Sequence, residues 1–326
     1  MRVLVTGGAG FIGSHTTEAL LERGDEVVCL DNFNDYYSPT RKRKNIAGFL
    51  GNPAYKLYEA DIRDFETLER IFKAEVFDKI IHIAAMAGVR ASIRNPLLYE
   101  EVNVKGTLNL LELSRRYGIG NFVFVSSSSV YGARSEAPFR EDDPCDRPIS
   151  PYAATKRAGE LLAYTYHHLY DLNCTCLRLF TVYGPKGRPD MAPYLFTKWI
   201  LEGQEVRRFG GGTSRRDYTY IDDVVSGIVA ALDADLPYEI INLGNSQAVA
   251  LNDFIALIER LVGRKARIKE LPMQPGDVPF TCADISKARR LLGYDPKIPL
   301  EEGMRRFIDW YRREVLECED FYRRSS

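Results

Sequence analysis

Thr6-Gly7-Gly8-Ala9-Gly10-Phe11-Ile12-Gly13 stands between the apolar run Arg2–Thr6 and a stretch, Ile12–Arg23, whose apolar residues recur at helical spacing. Glycines at a strand-to-helix turn permit a tight bend and a close backbone approach, while the start of the helix aims unpaired N–H groups and a positive dipole end at a ligand. In this context the pattern reads as a pyrophosphate cradle walled by Gly7, Gly10, Phe11, Ile12 and Gly13. The next apolar run, Glu26–Asp31, ends in a carboxylate about 20 residues downstream, where an acid accepts hydrogen bonds from ribose hydroxyls. A carboxylate there repels a 2′-phosphate, so the expected cofactor is NAD rather than NADP. The basic run Arg41-Lys-Arg-Lys44 reads as a solvated helix face.

Further runs of strand character follow at Tyr55–Glu59, Lys79–Ile83, Asn121–Ser126 and Cys174–Leu179, with helices expected at Phe65–Ala74, Tyr99–Tyr117 and Tyr152–Tyr170. Continuous apolar runs such as Phe122-Val-Phe-Val125 suit strands buried on both faces. The alternation predicts an α/β fold, a Rossmann-like doubly wound parallel sheet with a smaller α/β substrate-binding domain. The rhythm breaks where Gly and Pro gather after Tyr183, so residues 1–180 are expected to hold the dinucleotide and 181–326 mainly the substrate, with later segments returning to the first domain. Leu300–Val315 reads as a surface helix.

Among 326 residues, 44 basic side chains face 45 acidic ones, which lacks the surplus of cations that phosphate-backbone binding requires; no nucleic-acid partner is expected. No apolar stretch reaches the ~20 residues of a membrane span, and no secretory leader pattern opens the chain, so no membrane partner and a cytoplasmic location are expected. The six cysteines form no Cys-x-x-Cys pair, and Cys174 and Cys176 alternate on one strand face. The four histidines are unclustered, with His167-His168 read as helix packing, so no metal is expected.

The chemistry concentrates in Tyr152-Ala-Ala-Thr-Lys156, preceded by Ser126-Ser-Ser-Ser129 at the end of a strand. Residues four apart share a helix face, so the lysine ammonium favours the phenolate, and a phenol poised near neutrality can exchange a proton with a sugar hydroxyl. The serines can supply a hydroxyl to the reacting oxygen. Asp61-Ile62 ends the third strand, where contacts to the adenine are expected, and Asp64 is the better helix cap. Ala84-Ala-Met-Ala-Gly88 offers small residues past which a flat ring or a ribose can approach the backbone.

Thr6–Gly13, Asp31-Asn32, Asp61–Asp64, Ser126–Gly132, Tyr152-x-x-x-Lys156 and Arg216-Asp-Tyr218 together resemble the extended short-chain dehydrogenase/reductase family of NAD-dependent nucleotide-sugar epimerases and dehydratases, over essentially the full length. Ala84–Arg90, Thr181–Ala192 and Met273–Pro279 are similar to its UDP-glucuronate 4-epimerase branch. The resemblance implies an isomerase that oxidises UDP-glucuronate at C4, turns the 4-keto sugar and returns hydride to the opposite face, giving UDP-galacturonate. It implies Tyr152 as base, Lys156 as its electrostatic partner and nicotinamide-ribose ligand, both residues standing against the cofactor, and Ser127 or Ser129 as the assisting hydroxyl. It carries over Asn32, Asp61, Ile62, Ala84, Ala85, Met86 and Asn103 as cofactor contacts. Thr181, Arg188, Arg216 and Asp277 are carried over as substrate contacts, with Arg188 reading the sugar carboxylate through its planar fork. Related galactose epimerases hold an arginine where this chain has Gln274. Relatives that dehydrate carry an Asp-Glu pair, and decarboxylating ones a glutamate, where this chain has Ser128-Ser129. The alternatives are a 4-epimerase of a neutral UDP-sugar, a UDP-glucuronate decarboxylase, or a dinucleotide-binding sensor without turnover. A homodimer built on the helices Tyr99–Tyr117 and Tyr152–Tyr170 is also implied.

Overall fold

The computed structural model describes residues 1–134, 136–273 and 278–316. Twelve strands are described: β1 Arg2–Thr6, β2 Glu26–Asp31, β3 Tyr55–Glu59, β4 Lys79–His82, β5 Asn121–Ser127, β6 Cys174–Leu179, β7 Thr181–Tyr183, β8 Glu205–Phe209, β9 Arg215–Tyr220, β10 Tyr238–Leu243, β11 Ala248–Ala250 and β12 Arg267–Leu271. Seven of them form one sheet in the order β10-β6-β5-β4-β1-β2-β3, every neighbouring pair parallel. Val3, Leu4 and Val5, Ile80 and Ile81, and Phe122 and Val123 are all fully buried, as strands covered by helices on both faces require. The chain leaves β1 toward β2 and β3 and returns to the opposite side through β4, so the order reverses between β1 and β4. A crevice opens at the carboxyl ends of strands on either side of such a reversal.

The sheet has an edge strand, β10, that comes from beyond residue 180. Its apolar residues Ile241 and Leu243 are fully buried, and Asn242 Nδ2 donates to Phe139 O at 2.9 Å, tying a distant loop to the edge. The smaller sheets are β11-β9-β7 and β12-β8. The amphipathic helix Leu300–Tyr311 lays Met304, Phe307, Ile308 and Tyr311 into the core beside them.

Helix boundaries follow local chemistry. Ser150 caps helix Pro151–Tyr170 by accepting from Ala153 N at 3.2 Å, and Asp171 ends it in the left-handed region. Asp64 caps helix Phe65–Ala74, accepting from Thr67 N at 3.1 Å. The helix expected from Tyr99 starts earlier, at Pro96, and contains one π turn, Glu101–Lys105, before Gly106–Tyr117. His167 stacks on Tyr238 and His168 on Tyr164. Cys174 and Cys176 lie in the same buried cluster.

The basic run departs from expectation. Lys42 is buried, and its Nζ donates to Asn34 O at 2.8 Å and to Asn34 Oδ1 at 3.0 Å. Arg41 donates to the Tyr194 hydroxyl at 2.6 Å, while Arg43 and Lys44 pair with Glu59 and Glu314 on the outside. Half of the run is therefore inward-facing, because the folded-back loop after β2 exposes carbonyls that need donors.

Candidate functional site

The glycine turn is as tight as its sequence requires. Gly7 has φ +70, and a Cβ there would lie 2.8 Å from the Ala84 backbone; one on Gly13 would lie 2.1 Å from Gly7 O. Helix Phe11–Glu22 begins at Gly10, which makes no side-chain cap bond, so the first N–H groups face the crevice. Asp31 is buried beside them, its Oδ2 accepting from Ala9 N at 3.1 Å and its Oδ1 from Phe33 N at 2.9 Å. Burial pushes its carboxyl pKa up, and Lys42 opposes the shift. Asn32 Nδ2 donates to Asp61 Oδ2 at 2.9 Å. Burial of Asp61 is outweighed by hydrogen bonds from Arg63 and Asn32, which hold its carboxyl down to about 2.

A cavity of about 720 Å³ runs from this turn across the ends of β1, β4 and β5 to the loop after β7. It is lined by Gly7, Gly10, Phe11, Ile12, Gly13, Asp31 and Asn32, by Asp61 and Ile62, and by Ala84, Ala85 and Met86. Ser127, Ser129, Tyr152, Lys156, Thr181, Arg188 and Arg216 line it too. Asn103 does not. It is buried behind the wall, where Oδ1 accepts from Met86 N at 2.8 Å and Nδ2 donates to Met86 O at 2.9 Å and to Thr155 Oγ1 at 3.0 Å. It reaches the cavity through the backbone of Met86 rather than directly, and the π turn that contains it sets this approach. Asp277 and Gln274 lie outside the described residues.

Ser127 is the side chain that most opposes the rise of the Tyr152 phenol, and the Ser127 and Ser129 hydroxyl oxygens are 3.2 Å apart, so Ser129 stands one step behind. The electrostatics differ from the expectation of an ammonium-lowered phenol. Lys156 Nζ donates to Val125 O at 2.7 Å and lies over the Phe124 ring. Burial lowers its pKa to about 7, opposed by Glu160. Burial likewise raises the Tyr152 phenol, opposed by Ser127 and then by Arg188. Tyr99 packs edge-on against Tyr152 with ring centroids 6.2 Å apart and anchors its own hydroxyl on Ala87 O at 2.6 Å.

Two groups of residues at the site escaped sequence reasoning. One is the fully buried Glu160, bound by Arg178 through two bonds of 2.9 and 2.8 Å and by Ser126 Oγ at 2.7 Å. Its spacing, one helical turn past Lys156, was the available signal. The other is Tyr36, whose hydroxyl lies 3.3 Å from an Arg188 nitrogen and donates to Asp190 Oδ2 at 3.0 Å. A Cβ on Gly88 (φ +100) would lie 2.6 Å from that hydroxyl, so the glycine makes room for it. Nothing local in the sequence connects residues 36, 88 and 188.

The family model described as GDP-mannose 4,6 dehydratase matches residues 4–307. A UDP-glucuronate 4-epimerase of Thermodesulfobacterium geofontis is 47% identical over 313 residues, covering 96% of each chain. Among solved structures, the UDP-glucuronic acid 4-epimerase of Bacillus cereus in complex with UDP-glucuronic acid and NAD is 38% identical with a TM-score of 0.91, covering 96% of this chain and 99% of that one. The UDP-glucose 4-epimerase of Thermotoga maritima, solved with UDP-glucose, is 34% identical with a TM-score of 0.89, covering 97% and 100%.

Proposed function

The chain belongs to the nucleotide-sugar epimerase and dehydratase family that the GDP-mannose 4,6 dehydratase model describes, and within it to the UDP-glucuronate 4-epimerases; from this premise we propose that it interconverts UDP-glucuronate and UDP-galacturonate by NAD-dependent epimerisation at C4. The observation that carries the reading is one continuous cavity joining the glycine turn, the Tyr152–Ser127 pair and the Arg188 guanidinium. The cradle that a Cβ at Gly7 or Gly13 would fill, together with the buried Asp31, fits a dinucleotide without a 2′-phosphate. Residues 1–180 hold the cofactor in this reading, and the part beyond mainly holds the sugar nucleotide.

Bound NAD supplies the hydride acceptor at C4. Tyr152 takes the O4 proton and returns it, with Ser127 holding the same oxygen and Ser129 supporting Ser127. Lys156, whose pKa burial lowers to about 7, donates to Val125 O and fixes the helix face that presents Tyr152. Thr181 borders the sugar, and Arg216 and Asp277 hold the diphosphate and the ribose. The 4-keto sugar is a β-keto acid, which loses carbon dioxide when the C5–carboxylate bond stands perpendicular to the ketone plane. Arg188, gripping that carboxylate through two parallel bonds, keeps the bond near the plane. The enzyme acts as a cytoplasmic homodimer in this reading. Support for the dimer comes from Leu97, Leu108, Leu161, Tyr164 and Leu169, large apolar side chains exposed on the helices that span residues 96–117 and 151–170.

Incubation of the purified protein with UDP-glucuronate and no added cofactor, followed by chromatography and proton NMR, tests the proposal. UDP-galacturonate is the expected product. UDP-xylose alone would assign a decarboxylase instead, and turnover of UDP-glucose but not of UDP-glucuronate would assign a neutral-sugar epimerase.

A further inference from the structure

The Arg188 fork already holds a carboxylate of the chain itself. Nε donates to Asp190 Oδ1 at 3.0 Å and NH2 to Asp190 Oδ2 at 2.6 Å, the two-pronged geometry by which a guanidinium binds any carboxylate. Arg188 lines the cavity and its side chain is only 20% exposed, whereas that of Asp190 is 41% exposed. The acid therefore reaches the arginine from the solvent side of the wall. Tyr36 completes the cluster: its hydroxyl donates to Asp190 Oδ2, and the Arg188 guanidinium carbon lies 5.3 Å from its ring centroid.

We propose that Asp190 is an internal competitor for the sugar carboxylate, occupying the Arg188 fork between turnovers and yielding it to the acidic sugar, so that Asp190 tunes affinity for the uronate without touching the reacting carbon. The inference rests on the reading of the substrate as a UDP-uronate. Two carboxylates cannot use the same guanidinium edge together, so each binding event exchanges one fork for another. The exchange leaves no carboxylate stranded, because Asp190 keeps its bond from the Tyr36 hydroxyl and gains water on its exposed side. The arrangement makes the resting site electrically neutral, so an incoming uronate gains only the difference between two similar forks. The product, which carries the same carboxylate, is then released rather than trapped. A neutral UDP-sugar, having no carboxylate to exchange, is indifferent to the pair.

The test measures KM and kcat for UDP-glucuronate, and the inhibition constant of UDP-glucose, on wild type, Asp190→Asn and Tyr36→Phe, each purified with its dinucleotide. Asp190→Asn is expected to lower KM for UDP-glucuronate by roughly tenfold, the size of one charge-assisted fork, with the UDP-glucose constant within about twofold of wild type. Tyr36→Phe, which leaves Asp190 without its second partner and so ties it to Arg188, is expected to raise KM with UDP-glucose binding again unchanged. An unchanged or raised KM in Asp190→Asn would overturn the competition and make the acid a mere prop of Arg188. Should Asp190→Asn fail to fold, Asp190→Ser decides in its place, and an unchanged or raised KM there overturns the competition. Wild type that does not turn over UDP-glucuronate at all would instead refute the functional reading, which separates the two failures.

Discussion

At Tyr152 the burial that raises the phenol is opposed by Ser127 and then by Arg188, while burial lowers Lys156 to about 7, so that it is about half charged at neutral pH. That ordering makes the two serines unequal. Ser127→Ala removes the hydroxyl that opposes the rise of the phenol and is expected to lower kcat at least about tenfold more than Ser129→Ala, as measured by single-turnover rates at saturating substrate. For Arg188→Ala the expected outcome is a KM raised roughly tenfold to hundredfold by loss of the fork, with UDP-linked pentose appearing among the products. Wild-type affinity and product ratio in that variant would remove Arg188 from the carboxylate.

At the scale of elements, the glycine turn and helix Phe11–Glu22 form one unit whose spacing tolerates no methyl group. Gly13→Ala places a carbon 2.1 Å from Gly7 O, a backbone atom that cannot swing aside, so the helix must shift. Overpacking of this kind costs about 1–3 kcal/mol, and here it moves the N–H groups that face the dinucleotide. The variant is expected to purify with less bound dinucleotide, read from its absorbance ratio at the nucleotide and protein bands. Full occupancy would show that the cradle is not what holds the cofactor. The long helices that follow β4 and β5 are similarly coupled: Asn103 in one bonds Met86 of the cavity wall and Thr155 of the other.

For the whole molecule, buried titratable groups predict how stability varies with pH. Burial, reinforced by Lys156, depresses His82 to about 3, and burial with Lys186 depresses His15 to about 4. In the unfolded chain both take up a proton near pH 6.5, so the unfolded state binds more protons below that point and stability falls as pH drops from about 6.5 toward 3. Asp217 works the other way. Its carboxyl, pushed up to about 6 by burial against bonds from the Ala283, Asn245 and Ser246 N–H groups, protonates first in the folded state and adds stability as pH falls from about 6 to 4. The two histidines titrate near 6.5 in the unfolded chain, above the range where Asp217 and the other carboxyls that burial raises, Asp31, Glu141 and Asp222, begin to offset them, so urea midpoints should fall as pH drops from about 7 to 6. The fall should be shallower in His82→Gln; an equal slope would exclude His82 as a contributor. The exposed leucines on the two long helices carry the assembly prediction: Leu161→Glu is expected to convert a dimer to a monomer by light scattering, and a wild-type monomer would refute the pairing.

The sheet from β1 to β6, the glycine turn and Asp31 were legible because each is written locally. A strand buried on both faces must be continuously apolar, and a turn against a helix must be glycine. Tyr152, Lys156 and the serines were legible by position along those same elements. What tertiary structure alone decided were meetings between residues far apart in the chain: β10 closing the sheet edge, Lys42 turned inward, Arg178 on Glu160, and Tyr36 and Asp190 on Arg188. Side-chain spacing along an element determines which faces are apolar and which groups share a turn. Which charge meets which across the cavity depends on how the elements pack, and that is where the phenol acquires its surroundings and the arginine its resident carboxylate.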